Sequence, residues 1–383
     1  MTRKRAALVV ASGGILMVAA VAIGYMSWAS GESAVAPRSG GAEGATRAVW
    51  KGAASWSPDG KSIAIVRGPV NICGGDIYIV NTRGEKKKRI TWLADSEHKT
   101  GPASPAWSPD GKTIAFTVTV PFLGGCIDEE LDVIRAAGGR RTTLRKGPFA
   151  FAVDGACHSW SPDGRWILFA ESDDRSPFER VVVVKPDGTK RRRVARASLG
   201  AGCPVWSRDS RRIAFVRGKG QDSVGLGDVV GEVYVVDLDG NEQRLSRTHS
   251  GAWSPTWAAD SSRIAFITDD GEKEYHSSIR TVRPDGTAQT RIAVESDTLL
   301  LDGLTWSPDG RWIAYDRSVI SGASQLVVIS ADGSRRRVLA SGCCASWSPD
   351  GKRLLVAHGS GGLYIAREDQ IGLPGKLRPF PKR

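Results

Sequence analysis

The sequence predicts an all-β fold, a single β-propeller of seven four-stranded antiparallel blades with six blades as the runner-up, preceded by one N-terminal transmembrane helix. Three observations predict it. The pattern Trp56-Ser57-Pro58-Asp59-Gly60-Lys61-Ser62-Ile63-Ala64 recurs along most of the chain, its copies are evenly spaced, and one long uncharged run lies ahead of them all.

That run comes first. Arg3, Lys4 and Arg5 precede the uncharged stretch from Ala6 to Trp28, and about 20 apolar residues in a helix cross a bilayer. Positive charge on the N-terminal side keeps that end cytoplasmic and sends the remainder across. Ser27-Trp28-Ala29 also places small residues where a signal peptidase would need them. Both readings export the rest of the chain. It is periplasmic or extracellular on a single-pass anchor, or secreted if the segment is cleaved. No cysteine follows the run closely, which excludes a lipoprotein anchor. Residues 1–28 therefore read as a basic stub with an anchor or signal segment. Residues 29–45, small and polar without periodicity, read as a flexible linker, and 46–383 as the propeller.

The repeat begins at Trp56, Trp107, Trp160, Trp206, Trp257, Trp306 and Trp347, at intervals of 51, 53, 46, 51, 49 and 41 residues. Propeller blades recur at about 40–45 residues, with loops adding to that. Ser-Pro-Asp-Gly suits a tight turn, because proline presets φ, aspartate bonds locally and glycine accepts the positive φ that follows. Ser210 and Ser261 replace that glycine in two weakened copies, at an expected cost of about 1 kcal/mol if the conformation is kept. An alternating apolar strand follows each turn, as in Ile114-Ala115-Phe116 and Ile264-Ala265-Phe266. A second run such as Val181–Val184, a turn such as Lys185-Pro186-Asp187-Gly188 and a short last strand complete the unit. Trp253-Ser254-Pro255 mimics a unit start but lacks the Asp-Gly, and Trp257 keeps the interval. For the last blade, Thr46–Trp50 is the expected fourth strand and Lys376–Phe380 its competitor.

The Trp-Ser-Pro-Asp-Gly-Lys/Arg-x-Ile-Ala-Phe pattern resembles the PD40 (WD40-like) repeats of TolB-type β-propeller proteins, over about residues 46–383. TolB itself has a six-bladed propeller behind a separate N-terminal domain. Seven unit starts and a bare linker depart from that plan, so a Tol–Pal role does not transfer. The repeat is also similar to the propeller of dipeptidyl-peptidase-like serine peptidases, whose function sits on a second domain with no counterpart here.

In a meander, the second and the inter-blade connections share one face, the loop face. All six cysteines, Cys73, Cys126, Cys157, Cys203, Cys343 and Cys344, fall there. Export favours disulfides, with Cys73–Cys126 and Cys157–Cys203 as the pairs joining neighbouring blades. Cys343 and Cys344 are adjacent and would form a vicinal bond or pair elsewhere. A thiolate metal site is the sharper alternative, with His158 as the adjoining nitrogen ligand. Acidic residues gather on the same face: Asp128, Glu129 and Glu130; Glu171, Asp173 and Asp174; Asp269 and Asp270. Basic runs such as Lys86–Arg89, Lys190–Arg193 and Arg335–Arg337 lie toward the opposite rim. Either the propeller is electrically polar, or these are solvated loops and protected strand edges.

The composition, 41% hydrophobic and 25% charged, provides for an ample core. The formal charge of +12 suits nucleic acid or an anionic surface, and export excludes nucleic acid. There is no Gly-x-Ser-x-Gly elbow and no HExxH, and the five histidines are dispersed. Asp237-Leu238-Asp239-Gly240 has some calcium-loop character but occupies a hairpin turn. No cofactor is expected. The sequence therefore points to an exported, membrane-tethered scaffold binding a protein, a peptide or an envelope polymer through its loop face. His158 and Asp128, Glu129, Glu130, Asp173, Asp174, Asp269 and Asp270 are the candidate contacts. The alternative is a hydrolase or lyase acting on envelope carbohydrate or peptide.

Overall fold

The repeated turn closes on itself by hydrogen bonds that its own residues dictate. In the first copy Gly60 N–H donates to Ser57 O (2.8 Å), and the Ser57 hydroxyl donates to Asp59 Oδ1 (2.6 Å) while accepting Ser62 N–H (2.9 Å). Asp59 Oδ1 also accepts Lys61 N–H (3.0 Å). These donors, the Ser57 hydroxyl foremost, hold the carboxyl below the usual carboxylate range. Ser210 and Ser261 keep the left-handed backbone of the glycine they replace, at φ 60° and 59°. Their hydroxyls accept Asp163 N–H (2.9 Å) and Asp209 N–H (3.2 Å) from the preceding blade's turn. The backbone strain is thus offset by a bond that glycine could not make.

In the computed structural model the described residues run from 49 to 379, without 51–53, 69–72, 86, 95–96, 123–124, 148–156, 173–178, 198–201, 219–230, 249–250, 270–275, 297, 320–323, 341–342, 359–361 and 368–377. The apolar run 6–28 and the linker 29–45 lie outside them, and among the described residues no helix is long and apolar enough to cross a membrane.

The strands form seven antiparallel sheets, one per repeat, each in sequence order. Blade 3 is representative: His158–Trp160, Ile167–Ser172, Glu179–Val184 and Arg192–Ala197, innermost to outermost. Alternate residues of the middle strands face opposite neighbours. Val181 and Val183 enter a core shared with Ile213 and Phe215 of blade 4, and Val182 and Val184 one shared with Ala115 and Leu131 of blade 2. The middle strands are apolar on both faces because each blade lies between two others.

Four of the seven repeat tryptophans tie the ring along its inner side. Trp160 Nε1–H donates to Ala106 O (3.1 Å), Trp257 to Val205 O (3.2 Å) and Trp347 to Thr305 O (3.2 Å). In each case the acceptor immediately precedes the tryptophan of the previous blade. Trp253 instead donates forward to Leu301 O (2.8 Å), which separates it from the true unit starts.

The closure differs from the expectation. The fourth strand of blade 7 is Arg378–Pro379, paired with Gly362–Arg367, so the C-terminal candidate completes it. Val49–Trp50 joins blade 1 instead, pairing with Gly68 and Arg67 at the far end of the second strand, Ser62–Gly68. Together with Ser55–Trp56 it makes an interrupted inner strand. Blades 1 and 7 then meet through side chains. Trp56 Nε1–H donates to Ser346 O (3.0 Å), the Arg353 guanidinium stacks on the Trp56 ring at 4.8 Å and donates to Gly60 O (2.9 Å), and Leu355 and Leu363 pack with Ile63 and Ile65.

Candidate functional site

The inner strands begin on the loop face, and their first residues build its inner rim. Cys157 and Cys203, each three residues before its tryptophan, form a disulfide with Cα atoms 5.1 Å apart, joining blades 3 and 4 as the sequence suggested. At the same position in blades 2 and 5, Ser104 and Ser254 take positive φ (48° and 50°), and blade 6 has Gly303 (φ 63°). The Ser254 hydroxyl donates to Asp302 of blade 6. One position thus makes a sulfur bridge at one seam and a hydrogen bond at another.

Cys73 is also disulfide-bonded. It is placed by its N–H on Lys99 O (2.8 Å) and its carbonyl under the Thr119 hydroxyl. The side chains of Cys126, Cys343 and Cys344 lie outside the described residues. Among the described residues no group of three or more His, Cys, Asp or Glu side chains is arranged to hold a metal ion.

His158 opens the inner strand of blade 3 opposite Phe169, on the face turned to blade 2. Part of the residue meets solvent, but both ring nitrogens are enclosed, and neither reaches hydrogen-bonding geometry with a described residue. Burial pushes its pKa down to about 4, offset in part by the nearby backbone of Ala115 and Ser104. The imidazole is held neutral in the seam between the blades.

Of the candidate acids, Asp269 is exposed at the end of a second strand. Glu130 is half-buried and paired with Arg141 (2.9 Å) and Lys146 (2.9 Å). Asp128 and Glu129 lie on a described strand, but their side chains, like all of Asp173, Asp174 and Asp270, lie outside the described residues.

The sequence did not foretell a set of carboxylates buried in five blades, each gripped by an arginine. Asp76 pairs with Arg89, Asp132 with Arg141, Glu171 with Arg191, Glu232 with Arg244, and Glu295 with Arg336. Each arginine lies in, or just before, the outer strand of its blade. One arginine in each of three predicted basic runs, Arg89, Arg191 and Arg336, is therefore paired from below, and Glu171, at 2% exposure, lies inside rather than on the loop face. The residue eleven positions after the tryptophan links neighbours: Arg217 donates from Nε to Arg196 O (3.0 Å), Glu171 bonds Arg145 Nε (3.0 Å) and Arg317 reaches Glu295 (3.1 Å). A charged residue closing an apolar strand at that fixed spacing was the available signal.

This geometry can now be set beside known proteins. A family model described as the TolB beta propeller domain, PD40, matches residues 172–372, more than half of the chain. The chain belongs to the PD40 family. An uncharacterized protein of Agrobacterium fabrum is 27% identical over 217 residues, covering 55% of this chain and 67% of that one. TolB from Acinetobacter baumannii is 18% identical with a TM-score of 0.47, over 76% of this chain and 62% of that one, so this chain spans less than two thirds of it. Oligogalacturonate lyase from Vibrio parahaemolyticus is 13% identical with a TM-score of 0.60, over 85% of this chain and 92% of that one. At such identity this last likeness is one of PD40-like fold alone.

Proposed function

We propose that this PD40 propeller is an exported, membrane-tethered scaffold that binds a protein or peptide partner, or an envelope polymer, through its loop face. The observation that carries the reading is the inequality of the two faces. One face consists of short turns whose polar groups are spent on one another, seven times over. The other is where the second strands end and the third strands begin, as at Gly218 and Gly231 or Asp269 and Ser277, around a rim braced by Cys157–Cys203. Rigid scaffolds that present loops at one end are where binding residues concentrate. The disulfides support export, since such bonds persist in oxidising compartments.

Photo-crosslinkers placed at Asp269 on the loop face and at Asp59 on the turn face test this in native envelopes. One discrete adduct from position 269, absent from position 59, is expected. Equal labelling from both faces overturns the reading. So does turnover of an envelope carbohydrate or peptide that His158→Ala abolishes.

A further inference from the structure

We propose that the seam between the outer strands of blades 2 and 3 binds a phosphate-bearing ligand. At its floor one buried carboxylate answers several guanidiniums. Arg145, from the outer strand of blade 2 (Thr142–Lys146), donates Nε–H to Glu171 Oε2 (3.0 Å), and Arg191 donates to both Glu171 oxygens (2.6 and 2.5 Å). Arg180 lies 3.7 Å away. Glu171 is 2% exposed, whereas Arg145 and Arg191 retain 25% and 43%. A guanidinium carries five N–H donors, so both arginines keep most of theirs while Glu171 fixes their orientation.

Two more arginines complete the wall. Arg193 stands opposite Val182 and Arg196 opposite Arg180, with a β-bulge between them. Val182 and Arg180 are two residues apart, so their cross-strand partners share one face, about 7 Å apart along the strand. Without the bulge the pair would point to opposite faces. That face is turned to blade 2, because Val182 packs there. Both arginines are exposed, and neither has an ion-pair partner among the described residues. Convergent guanidiniums match the several oxygens and the double charge of a phosphate better than a single ammonium does.

The seam between blades 5 and 6 provides the contrast. There Arg317 and Arg336 hold the positions of Glu171 and Arg191, and the carboxylate comes instead from Glu295, two residues beyond Ala293, which holds the position of Arg145. The residue opposite the equivalent core valine, Val327, is Val338 rather than an arginine. The floor recurs without the wall.

Calorimetric titration of the full chain, in detergent at physiological ionic strength, with pyrophosphate tests the assignment. Saturable binding is expected, weakened at least tenfold by Arg193→Gln with Arg196→Gln and unchanged by Arg337→Gln at the blade 6 rim. Far-ultraviolet circular dichroism confirms that each variant is folded. No saturable binding, an unaffected double variant, or an equal loss in Arg337→Gln overturns the proposal. Phosphatidylglycerol doped into the micelles identifies a lipid headgroup as the source if it competes with pyrophosphate where phosphatidylcholine does not. If it does not compete, the phosphate belongs to a soluble ester.

Discussion

At the seam between blades 7 and 1, Trp56 donates its indole N–H to Ser346 O, and Arg353 both stacks on that ring and bonds the neighbouring turn. At the seam between blades 3 and 4, the equivalent Trp206 N–H is buried without a partner among the described residues, and the Cys157–Cys203 disulfide crosses instead. The closing seam joins segments 290 residues apart and relies on directional contacts that form only when both blades are complete. The other joins consecutive repeats and uses a covalent bond that needs an oxidising compartment. The ring is therefore uniform in its sheets and uneven in what fastens them.

The largest break in that comparison comes from sulfur. A cross-link closing a 46-residue separation constrains the unfolded chain by about 4 kcal/mol in the loop-entropy description. Cys157→Ser with Cys203→Ser should lower unfolding free energy by roughly that amount, read from urea denaturation. A loss below about 1 kcal/mol would show that the seam is held by packing alone.

The next effect lies on the other side of blade 3. The folded-state pKa of His158 is depressed to about 4 from an ordinary 6.5, so the unfolded chain binds the extra proton between those values. Its contribution is intact above about pH 6.5 and is lost as pH falls toward 4, by on the order of 2–3 kcal/mol. Thermal melts across that window should fall more steeply for the wild type than for His158→Leu, and parallel profiles would refute the buried neutral imidazole.

Trp56→Phe should cost about 1–2 kcal/mol beyond Trp206→Phe, because only Trp56 loses a hydrogen bond and a cation–π partner. Equal costs would mean that the indole bond is not what closes the ring. The smallest expected change is Ser210→Gly. Relief of left-handed strain and loss of the bond to Asp163 N–H oppose each other, leaving the unfolding free energy from urea denaturation within about 0.5 kcal/mol of wild type.

The blades were legible because Trp, Pro, Asp and Gly each serve a position-specific backbone need, and that need recurs. The ends of the chain were not. Thr46–Trp50 and Lys376–Phe380 are comparable short segments, and neither carries a residue that marks the strand it pairs with. The disulfide between Cys157 and Cys203 followed from equal spacing before two tryptophans. The placement of His158 did not, because the strand it opens is only 3 residues long and shows no alternation to assign its face. Glu171 looked like a loop acid because its partners, Arg145 and Arg191, are 26 and 20 residues away.

In this ring every blade is drawn from one unbroken stretch of chain. During synthesis each sheet can finish its hydrogen-bond ladder as its own stretch emerges, owing nothing to residues made earlier or later. Among the described indole donors Trp56 alone waits for the last blade, because its acceptor, Ser346, is made with it. Until then blade 1 presents Ile63, Ile65 and Val80 without the leucines that cover them. The interval between making the first blade and the last is when this protein most needs protection from sticking to its neighbours.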